Sequence, residues 1–210
     1  MIAITLRTTE PLHLPEDNNP EWQRADVYLL LSTLLLSPPD ADRLEQLSQL
    51  QLDHNAIKPM QLAWAQLKLA ALRAKASDIE LEYNGLFIGL GRGELIPYAC
   101  WYLTGMLMDK PLARLRSDLA QLGLTRSETL REPEDHIALL CQTMSVLIQH
   151  SEDYTYDTQQ QFFEHYLASW VGRFFNELQH AQHARFYRSV GHLGEQFFNL
   201  ERQAFSMLHQ

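Results

Sequence analysis

Apolar residues recur at helical spacing along most of the chain. Steps of three and four between apolar positions predict amphipathic helices. No stretch of useful length alternates apolar and polar residues, as a half-buried strand would. The last helical pattern starts near Ala184 and contains Phe186, Val190, Leu193, Phe197, Leu200, Ala204 and Leu208. The pattern predicts an all-α protein with about eight to ten helices.

The first strong pattern has clear helix signals at both ends. Asn19-Pro20 is typical of a helix start, with the asparagine as N-cap and the proline in the first turn, and Ser37-Pro38-Pro39 ends the pattern. The near-continuous apolar run between them predicts a helix buried on more than one side. Residues 1–18 are weakly patterned and predict an arm or loop, and residues 89–103 predict a long irregular connection of the kind that often carries function.

A further junction follows at Glu132-Pro133-Glu134-Asp135-His136. Proline is tolerated in the first helical turn, so a helix is expected to begin at about Pro133, with Glu134 and Asp135 facing the positive end of its dipole. This divides the chain into an N-terminal helical part (1–130), a hinge (131–136) and a C-terminal helical part (137–210). A short proline-containing hinge also permits exchange of parts between two chains, so a domain-swapped homodimer is expected.

Charge narrows the classes of partner. The 210 residues include 17 basic and 26 acidic side chains, and the formal net charge is −9. Nucleic acids and anionic membranes require a basic face, so neither is expected as a partner. A basic peptide would instead be attracted.

Cysteine usage and hydropathy indicate a cytoplasmic protein. Cys100 and Cys141 follow no metal or redox spacing and are expected to be reduced and at least partly buried. The N-terminus lacks the pattern of a secretory signal. The longest apolar run, residues 27–36, is broken by Ser32 and Thr33 and is too short to cross a membrane.

No motif makes a convincing active site. Gly89-Leu-Gly91-Arg-Gly93 lacks the Gly-Lys-Ser/Thr of a phosphate loop and follows a predicted helix, so it indicates a flexible helix exit. His180 and His183 lack the further ligands that zinc needs, and no Gly-x-Ser-x-Gly elbow exists. We therefore expect no enzyme activity and no metal, with a small GTP hydrolase or a metal-dependent hydrolase as the alternative.

Aromatic and apolar residues concentrate before and inside the predicted loop. Taken singly, each is more often a core residue than a ligand contact. Together with the acidic junction they are typical of a groove for an apolar peptide with basic flanks. These residues are Tyr83, Leu86, Phe87, Trp101 and Tyr102.

Several ordered motifs give this chain a specific resemblance. They are Glu82-Tyr83-x-x-Leu86-Phe87, Leu95-Ile-Pro97-Tyr98-x-x-Trp101-Tyr102-Leu103-Thr-Gly105, Lys110-Pro111-Leu112-x-x-Leu115-Arg116, Glu132-Pro133-Glu134-Asp135-His136, Phe162-Phe163-Glu164-His165 with Trp170, and Phe186-Tyr187. With them the chain resembles the TorD/DmsD family of cytoplasmic redox-enzyme maturation chaperones over nearly its whole length. It is most similar to the TorD branch, whose client is trimethylamine N-oxide reductase.

The resemblance implies an all-α fold in two helical parts and a chaperone function without catalysis. The implied partner is a molybdoenzyme precursor, bound through its twin-arginine signal peptide and through its mature apoenzyme until the molybdenum cofactor is inserted. The peptide-binding residues implied by motif are Tyr83, Leu86, Phe87, Trp101, Asp135 and His136, with Glu132, Pro133 and Glu134 as the hinge.

The resemblance also bears on cofactors. No cofactor of its own is required by such a chaperone. Some family members are associated with weak guanine-nucleotide binding, although no nucleotide motif of this sequence supports it. Cys100 and Gln142 depart from the residues expected at their positions, a small polar residue and a glutamate.

Overall fold

The chain is helical through most of the part that the structure describes. This structure is a computed structural model and describes residues 2–4, 20–52, 56–89, 92–127 and 130–207. Its α-helices are α1 (Pro20–Leu36), α2 (Ala41–Ser48), α3 (Lys58–Arg73), α4 (Ala76–Tyr83), α5 (Ala99–Thr104), α6 (Lys110–Gln121), α7 (Ile137–Gln149), α8 (Tyr156–Tyr166), α9 (Val171–His180) and α10 (Phe186–Met207). The all-α prediction is confirmed, with ten α-helices in these ranges.

Two short elements add to the helices. A π-helical turn, Asn84–Ile88, directly continues α4. Strands β1 (Ile2–Ile4) and β2 (Leu124–Arg126) pair in parallel, with Ile2 opposite Leu124. Strands of three residues are too short for an alternating pattern to reveal them. The predicted N-cap Asn19, the predicted arm beyond β1, and Leu208 lie outside the described residues.

The chain forms two compact units. Unit 1 consists of Met1–Leu36 and Pro97–Trp170, and unit 2 consists of Ser37–Ile96 and Val171–Gln210. These units follow a different division from the predicted one at 131–136. The reason is that α7, which follows the predicted hinge, packs against α1 within unit 1. The exchange of parts between two chains stays a prediction.

Unit 1 is built around α7. Eleven of the 13 residues of this helix are buried, and it packs against α1, α8 and β1. The Ser145 hydroxyl donates a hydrogen bond to the Ala25 carbonyl of α1 over 2.9 Å, which satisfies a polar group inside this contact. Cys100 and Cys141 are both unpaired and buried, as expected.

Unit 2 is built around α10, which packs against α9, α3 and α4, while α2 covers α3. Two glycines of α10 allow α9 to approach closely. A Cβ added at Gly194 would lie 2.2 Å from the Phe175 ring, and one at Gly191 would lie 2.9 Å from the Gln179 side chain. Only glycine leaves room for this packing.

Two boundaries predicted around the junction are wrong. Helix α7 begins at Ile137 and not at about Pro133, because residues 133–136 form a turn in which the His136 N–H donates to the Pro133 carbonyl over 3.0 Å. The segment 89–103 is also not irregular throughout, since α5 begins at Ala99. Hydrogen bonds that Asp135 accepts from the backbone N–H groups of Ala99 and Cys100, described below, hold the start of α5.

None of the helices in the described ranges is long and apolar enough to cross a membrane.

We predict that Gly194→Ala lowers the free energy of unfolding by about 1–3 kcal/mol, because the added methyl group would overlap the fully buried ring of Phe175. Urea denaturation followed by circular dichroism measures this change.

Gly172→Ala in α9 is the matched control. Its Cβ would contact only an Arg202 side-chain nitrogen at 3.8 Å, so the variant should be as stable as the original chain or up to about 1 kcal/mol more stable. Equal stability of both variants would contradict the packing described for α9 and α10.

Candidate functional site

Two of the predicted motifs meet in unit 1. Tyr98 and His136 form an isolated antiparallel bridge. The Ala99 N–H donates to the Asp135 carbonyl over 2.9 Å, and the Ile137 N–H donates to the Pro97 carbonyl over 2.9 Å. The loop motif and the junction motif are therefore joined through their backbones immediately before α5 and α7.

Asp135 caps the start of α5. Its side chain is 2% exposed, and one carboxylate oxygen accepts a hydrogen bond from the Cys100 N–H over 3.0 Å. A carboxylate at this position satisfies an N–H that has no partner inside the helix, and it complements the positive end of the helix dipole. The structure thus gives Asp135 a definite role in holding α5.

His136 is the N-cap of α7. Its Nδ1 accepts a hydrogen bond from the Ala138 N–H over 3.1 Å, and its ring meets the Tyr98 ring edge-on at 5.1 Å between centroids. Because the side chain is buried, the pKa of His136 falls from the usual 6.5 to about 3. The imidazole is therefore neutral at neutral pH, and the proton is on Nε2.

The residues predicted as a hinge are held by side-chain contacts within unit 1. The Tyr98 hydroxyl donates to a Glu132 carboxylate oxygen over 2.5 Å. Glu134 forms ion pairs with Arg116 of α6 at 2.8 Å and with Arg126 of β2 at 3.4 Å. Pro133 supplies the carbonyl of the turn described above. A hinge motion at this segment would have to break these contacts, so the role of Glu132, Pro133 and Glu134 as a hinge stays a prediction.

An exposed apolar loop follows Trp101. Trp101 itself is partly exposed. The name apolar loop is used here for residues 103–108, which run from the last turn of α5 into the following bend. Its exposed apolar side chains are Leu103 (42% exposed), Met106 (59%), Leu107 (51%) and Met108 (72%). Adjacent exposed apolar side chains of this kind mark interaction surfaces, and methionine adapts its shape to varied apolar partners. Sequence reasoning missed residues 106–108, although the Met-Leu-Met run was a visible signal.

The loop has a rigid base. Gly105 ends α5 in the left-handed conformation with φ of 76°, which glycine adopts without strain. The ring of Tyr102 stacks on that of Trp170 at 5.0 Å, and the Trp170 indole N–H donates to the Tyr166 carbonyl over 2.7 Å. Tyr102 is thereby fixed against another segment of unit 1.

The remaining predicted residues form an aromatic cluster in unit 2. Tyr83 and Phe87 lie one helical turn apart, at 5.0 Å between ring centroids. Tyr187 of α10 meets them at 5.9 Å and 5.5 Å. Leu86 is fully buried, while Phe87 is partly exposed. Burial raises the pKa of the Tyr187 hydroxyl well above its usual value, so this phenol stays neutral.

Glu82 caps the start of α10, a role that sequence reasoning missed. Its carboxylate accepts hydrogen bonds from the N–H groups of Arg185 (2.8 Å), Phe186 (3.1 Å) and Tyr187 (2.7 Å). Its side chain is 9% exposed. Residue 82 lies about a hundred positions before its partners, so the sequence carried no signal of the pairing.

A second carboxylate holds the preceding segment. Glu94 accepts hydrogen bonds from the His183 N–H at 3.1 Å, from the His183 Nδ1 at 2.8 Å, and from the Gln182 N–H. Burial acts to raise the pKa of Glu94, but these hydrogen bonds outweigh it and hold the pKa below its usual value. The backbone N–H and the ring Nδ1 of His183 are thus both hydrogen-bonded to Glu94. The Nδ1 of His180 lies 2.8 Å from the Asn176 carbonyl oxygen.

Gly89 and Gly93 lie where described stretches of the backbone approach each other closely. Gly89 has φ of 63°, and an added Cβ would lie 1.9 Å from the Arg92 carbonyl oxygen. The Leu95 N–H donates to the Leu86 carbonyl over 2.8 Å. Gly89 and Gly93 therefore leave room for backbone atoms that a side chain would meet. Gly91 lies outside the described residues.

One cluster in the described residues has the composition of a metal site. His150, Glu152 and Asp153 offer ligand atoms within 4.8 Å of one another. Glu152 and Asp153 are exposed, and exposed acidic groups often lie this close without binding an ion. The geometry gives no further reason to assign a metal.

The six residues implied as peptide-binding therefore lie in two clusters. Trp101, Asp135 and His136 belong to unit 1, and Tyr83, Leu86 and Phe87 belong to unit 2. Most of them are buried, and Trp101 and Phe87 are the partly exposed members. Their contact with a peptide stays a prediction.

Comparison with known proteins gives a consistent family. The family model described as nitrate reductase delta subunit matches residues 40–176. The chain is 31% identical over 164 residues to a chaperone protein TorD of Shewanella oneidensis, which covers 72% of this chain and 74% of that relative. It is 27% identical over 201 residues to a chaperone protein TorD of Vibrio atlanticus, which covers 86% of this chain and 94% of that relative.

A solved structure shares the fold. The solved structure is of a protein from Archaeoglobus fulgidus that is described as a redox enzyme maturation protein. The present chain superposes on it with a TM-score of 0.56 at 18% sequence identity. The superposition covers 89% of the present chain and 98% of the other. At this identity the likeness shows the fold alone.

We predict that His136 makes stability depend on pH. The folded chain keeps this side chain neutral down to about pH 3, whereas the unfolded chain binds a proton below about pH 6.5. The part of the free energy of unfolding that depends on His136 is therefore highest above about pH 6.5, and it falls as the pH falls towards 3. Between pH 7 and pH 5 this decrease should amount to about 2 kcal/mol. Urea denaturation at both pH values should show a smaller difference for His136→Asn, which keeps an N-cap acceptor but cannot titrate. An unchanged difference would exclude His136 as the source.

We also predict that Glu82→Ala lowers the free energy of unfolding by about 2–4 kcal/mol, since three N–H groups lose their acceptor. Urea denaturation measures the loss. Glu80→Ala is the matched control, because Glu80 is exposed on the same helix and its removal should change stability by less than about 0.5 kcal/mol. Similar losses for the two variants would contradict the capping role of Glu82.

Proposed function

Because this chain belongs to the TorD chaperone family, we propose that it is a maturation chaperone for a molybdoenzyme. In this function it binds the twin-arginine signal peptide and the apo form of the precursor. It keeps the precursor from premature export and proteolysis while the molybdenum cofactor is inserted. The proposed client is trimethylamine N-oxide reductase, which the resemblance to the TorD branch implies.

The observation that carries this proposal is the extent of the family relationship. The TorD relative from Vibrio atlanticus is matched over 94% of its length, so residues of both units take part in the similarity. Within unit 1, two of the motifs that carry the resemblance meet in the backbone bridge of Tyr98 with His136. Within unit 2, two others meet in the aromatic cluster of Tyr83, Phe87 and Tyr187.

The apolar loop of unit 1 supports the signal-peptide part of the proposal. A twin-arginine signal has an apolar segment, and Leu103, Met106, Leu107 and Met108 offer exposed apolar area for it. Methionine and leucine side chains suit a ligand whose exact sequence varies. We assign this loop, together with Trp101, the contact with the apolar segment of the signal.

Charge supports the same assignment. The basic segment of a twin-arginine signal carries positive charge, and the chain carries a net charge of −9. Attraction between the two speeds the encounter and disfavours acidic competitors. Coverage of the signal by the chaperone would withhold it from the export machinery.

Further parts of the proposal follow from the family. The chaperone acts in the cytoplasm without catalytic activity and needs no cofactor of its own, and any binding of guanine nucleotides is weak. It forms a homodimer by exchange of parts between chains. A turnover assay with purified protein tests for hydrolysis of GTP, the activity of the alternative class.

We predict that the paired substitution Leu107→Ser and Met108→Ser weakens signal-peptide binding about tenfold or more, because the apolar segment loses buried contact area. Calorimetric titration with the synthetic signal peptide of a trimethylamine N-oxide reductase measures this. Met207→Ser is the matched control, since Met207 is 70% exposed on α10 and should leave the affinity unchanged. Equal affinity of the loop variant and the control variant would remove the loop from the site.

The client is tested by co-purification. The chaperone is expected to retain the reductase precursor with its signal peptide, and more weakly the precursor without it. Failure to retain either form, with both chaperone and precursor soluble, would contradict the proposed function.

A further inference from the structure

A cleft opens on the surface of unit 2. It has a volume of about 720 Å³ and lies between α3, α4 and the start of α10. Its walls include Leu69 and Arg73 of α3, Lys75, Leu81 of α4, and Arg185. The cleft belongs to a single unit and contains none of the residues implied as peptide-binding.

The cleft continues an apolar stripe on α3. The inner face of this helix carries the buried residues Met60, Ala63, Leu67 and Ala71. A second set, Leu62, Leu69 and Leu72, is 55%, 45% and 59% exposed. Steps of seven and three place these leucines along one outer face.

Leu81 adds to this surface, since it lines the same cleft as Leu69 and is 72% exposed. Single exposed leucines are ordinary on protein surfaces, but a stripe beside a cleft is typical of an interaction surface. The exposed leucines of α3 are not needed for the core of unit 2, because a different face of the helix supplies its buried residues.

The charge of the cleft is opposite to that of the whole chain. Arg73, Lys75 and Arg185 line it, and none of these three forms an ion pair with any residue that the structure describes. The cleft lining also contains two carboxylates, Asp78 and Glu82. The Glu82 carboxylate already accepts hydrogen bonds from backbone N–H groups, so Asp78 is the carboxylate that remains to offset the three basic side chains. The cleft is thus locally basic on a chain with a net charge of −9.

We propose that this cleft binds an acidic, leucine-containing helical segment from the mature part of the client. Apolar side chains of such a segment would contact Leu69 and Leu81, and its carboxylates would pair with Arg73, Lys75 and Arg185. A basic twin-arginine signal would be repelled here. The inference rests on the proposed function, because it requires a protein client, and it assigns the mature part a site of its own.

Two matched helical peptides test the chemistry of the cleft. Both carry leucine at the same helical spacing, and the polar positions are glutamate in one and lysine in the other. Fluorescence anisotropy should show binding of the glutamate peptide only. The double variant Arg73→Glu, Lys75→Glu should weaken that binding about tenfold, and added salt should weaken it in the original chain.

The matched control reverses two charges outside the cleft lining. Lys58 and Arg188 are exposed residues of α3 and α10, and Lys58→Glu with Arg188→Glu changes the net charge by the same amount. This variant should keep most of its affinity for the glutamate peptide. Urea denaturation of both double variants verifies that they remain folded. Equal weakening by both variants, or equal binding of the two peptides, would overturn the assignment of the cleft.

Further arms separate this inference from the proposed function. The cleft variant should bind the signal peptide normally while losing the reductase precursor that lacks its signal. Normal retention of that shortened precursor would overturn the cleft inference and leave the proposed function standing. Failure of the original chain to bind the signal peptide would instead contradict the proposed function.

Light scattering tests whether a second copy of this chain occupies the cleft. Self-association of the original chain that the cleft variant abolishes would identify a second copy as the occupant and overturn the inference.

Discussion

The structure depends on buried carboxylates that accept hydrogen bonds from backbone N–H groups at helix starts. Glu82 serves α10 in this way, and Asp135 serves α5. The first N–H groups of a helix have no partner within the helix, and a carboxylate there also complements the helix dipole. Each contact joins segments far apart in sequence, so it fixes where one helix begins relative to another element of the same unit.

This arrangement explains why residues of the family motifs are hard to sort into structural and ligand-binding ones. Asp135 and His136 are buried caps, and the exposed apolar loop follows directly from the helix that Asp135 holds. Loss of Asp135 would disturb α5 and the loop after it, whether or not its carboxylate touches a peptide. Conservative variants that keep the cap, compared at equal stability, separate these two effects.

The surfaces of the two units suit ligands of different character. The loop at 103–108 in unit 1 is apolar, while the cleft of unit 2 combines exposed leucines with arginine and lysine. On a chain of net charge −9, a local basic cleft is complementary in charge to an acidic segment and not to a basic one. Under the two proposals above, one chaperone contacts the basic signal and an acidic mature segment of the same precursor at different surfaces.

The sequence by itself determined the helical class, the approximate number of helices and the family, because helical periodicity and ordered motifs are local properties of the chain. It did not determine where α7 begins, since the carbonyl of Pro133 and the side chain of Asp135 are used in a turn and a cap. It also could not reveal the pairing of Glu82 with residues 185–187 or the packing of α7 with α1. Such contacts join distant positions, and only the tertiary structure decides which donors and acceptors meet.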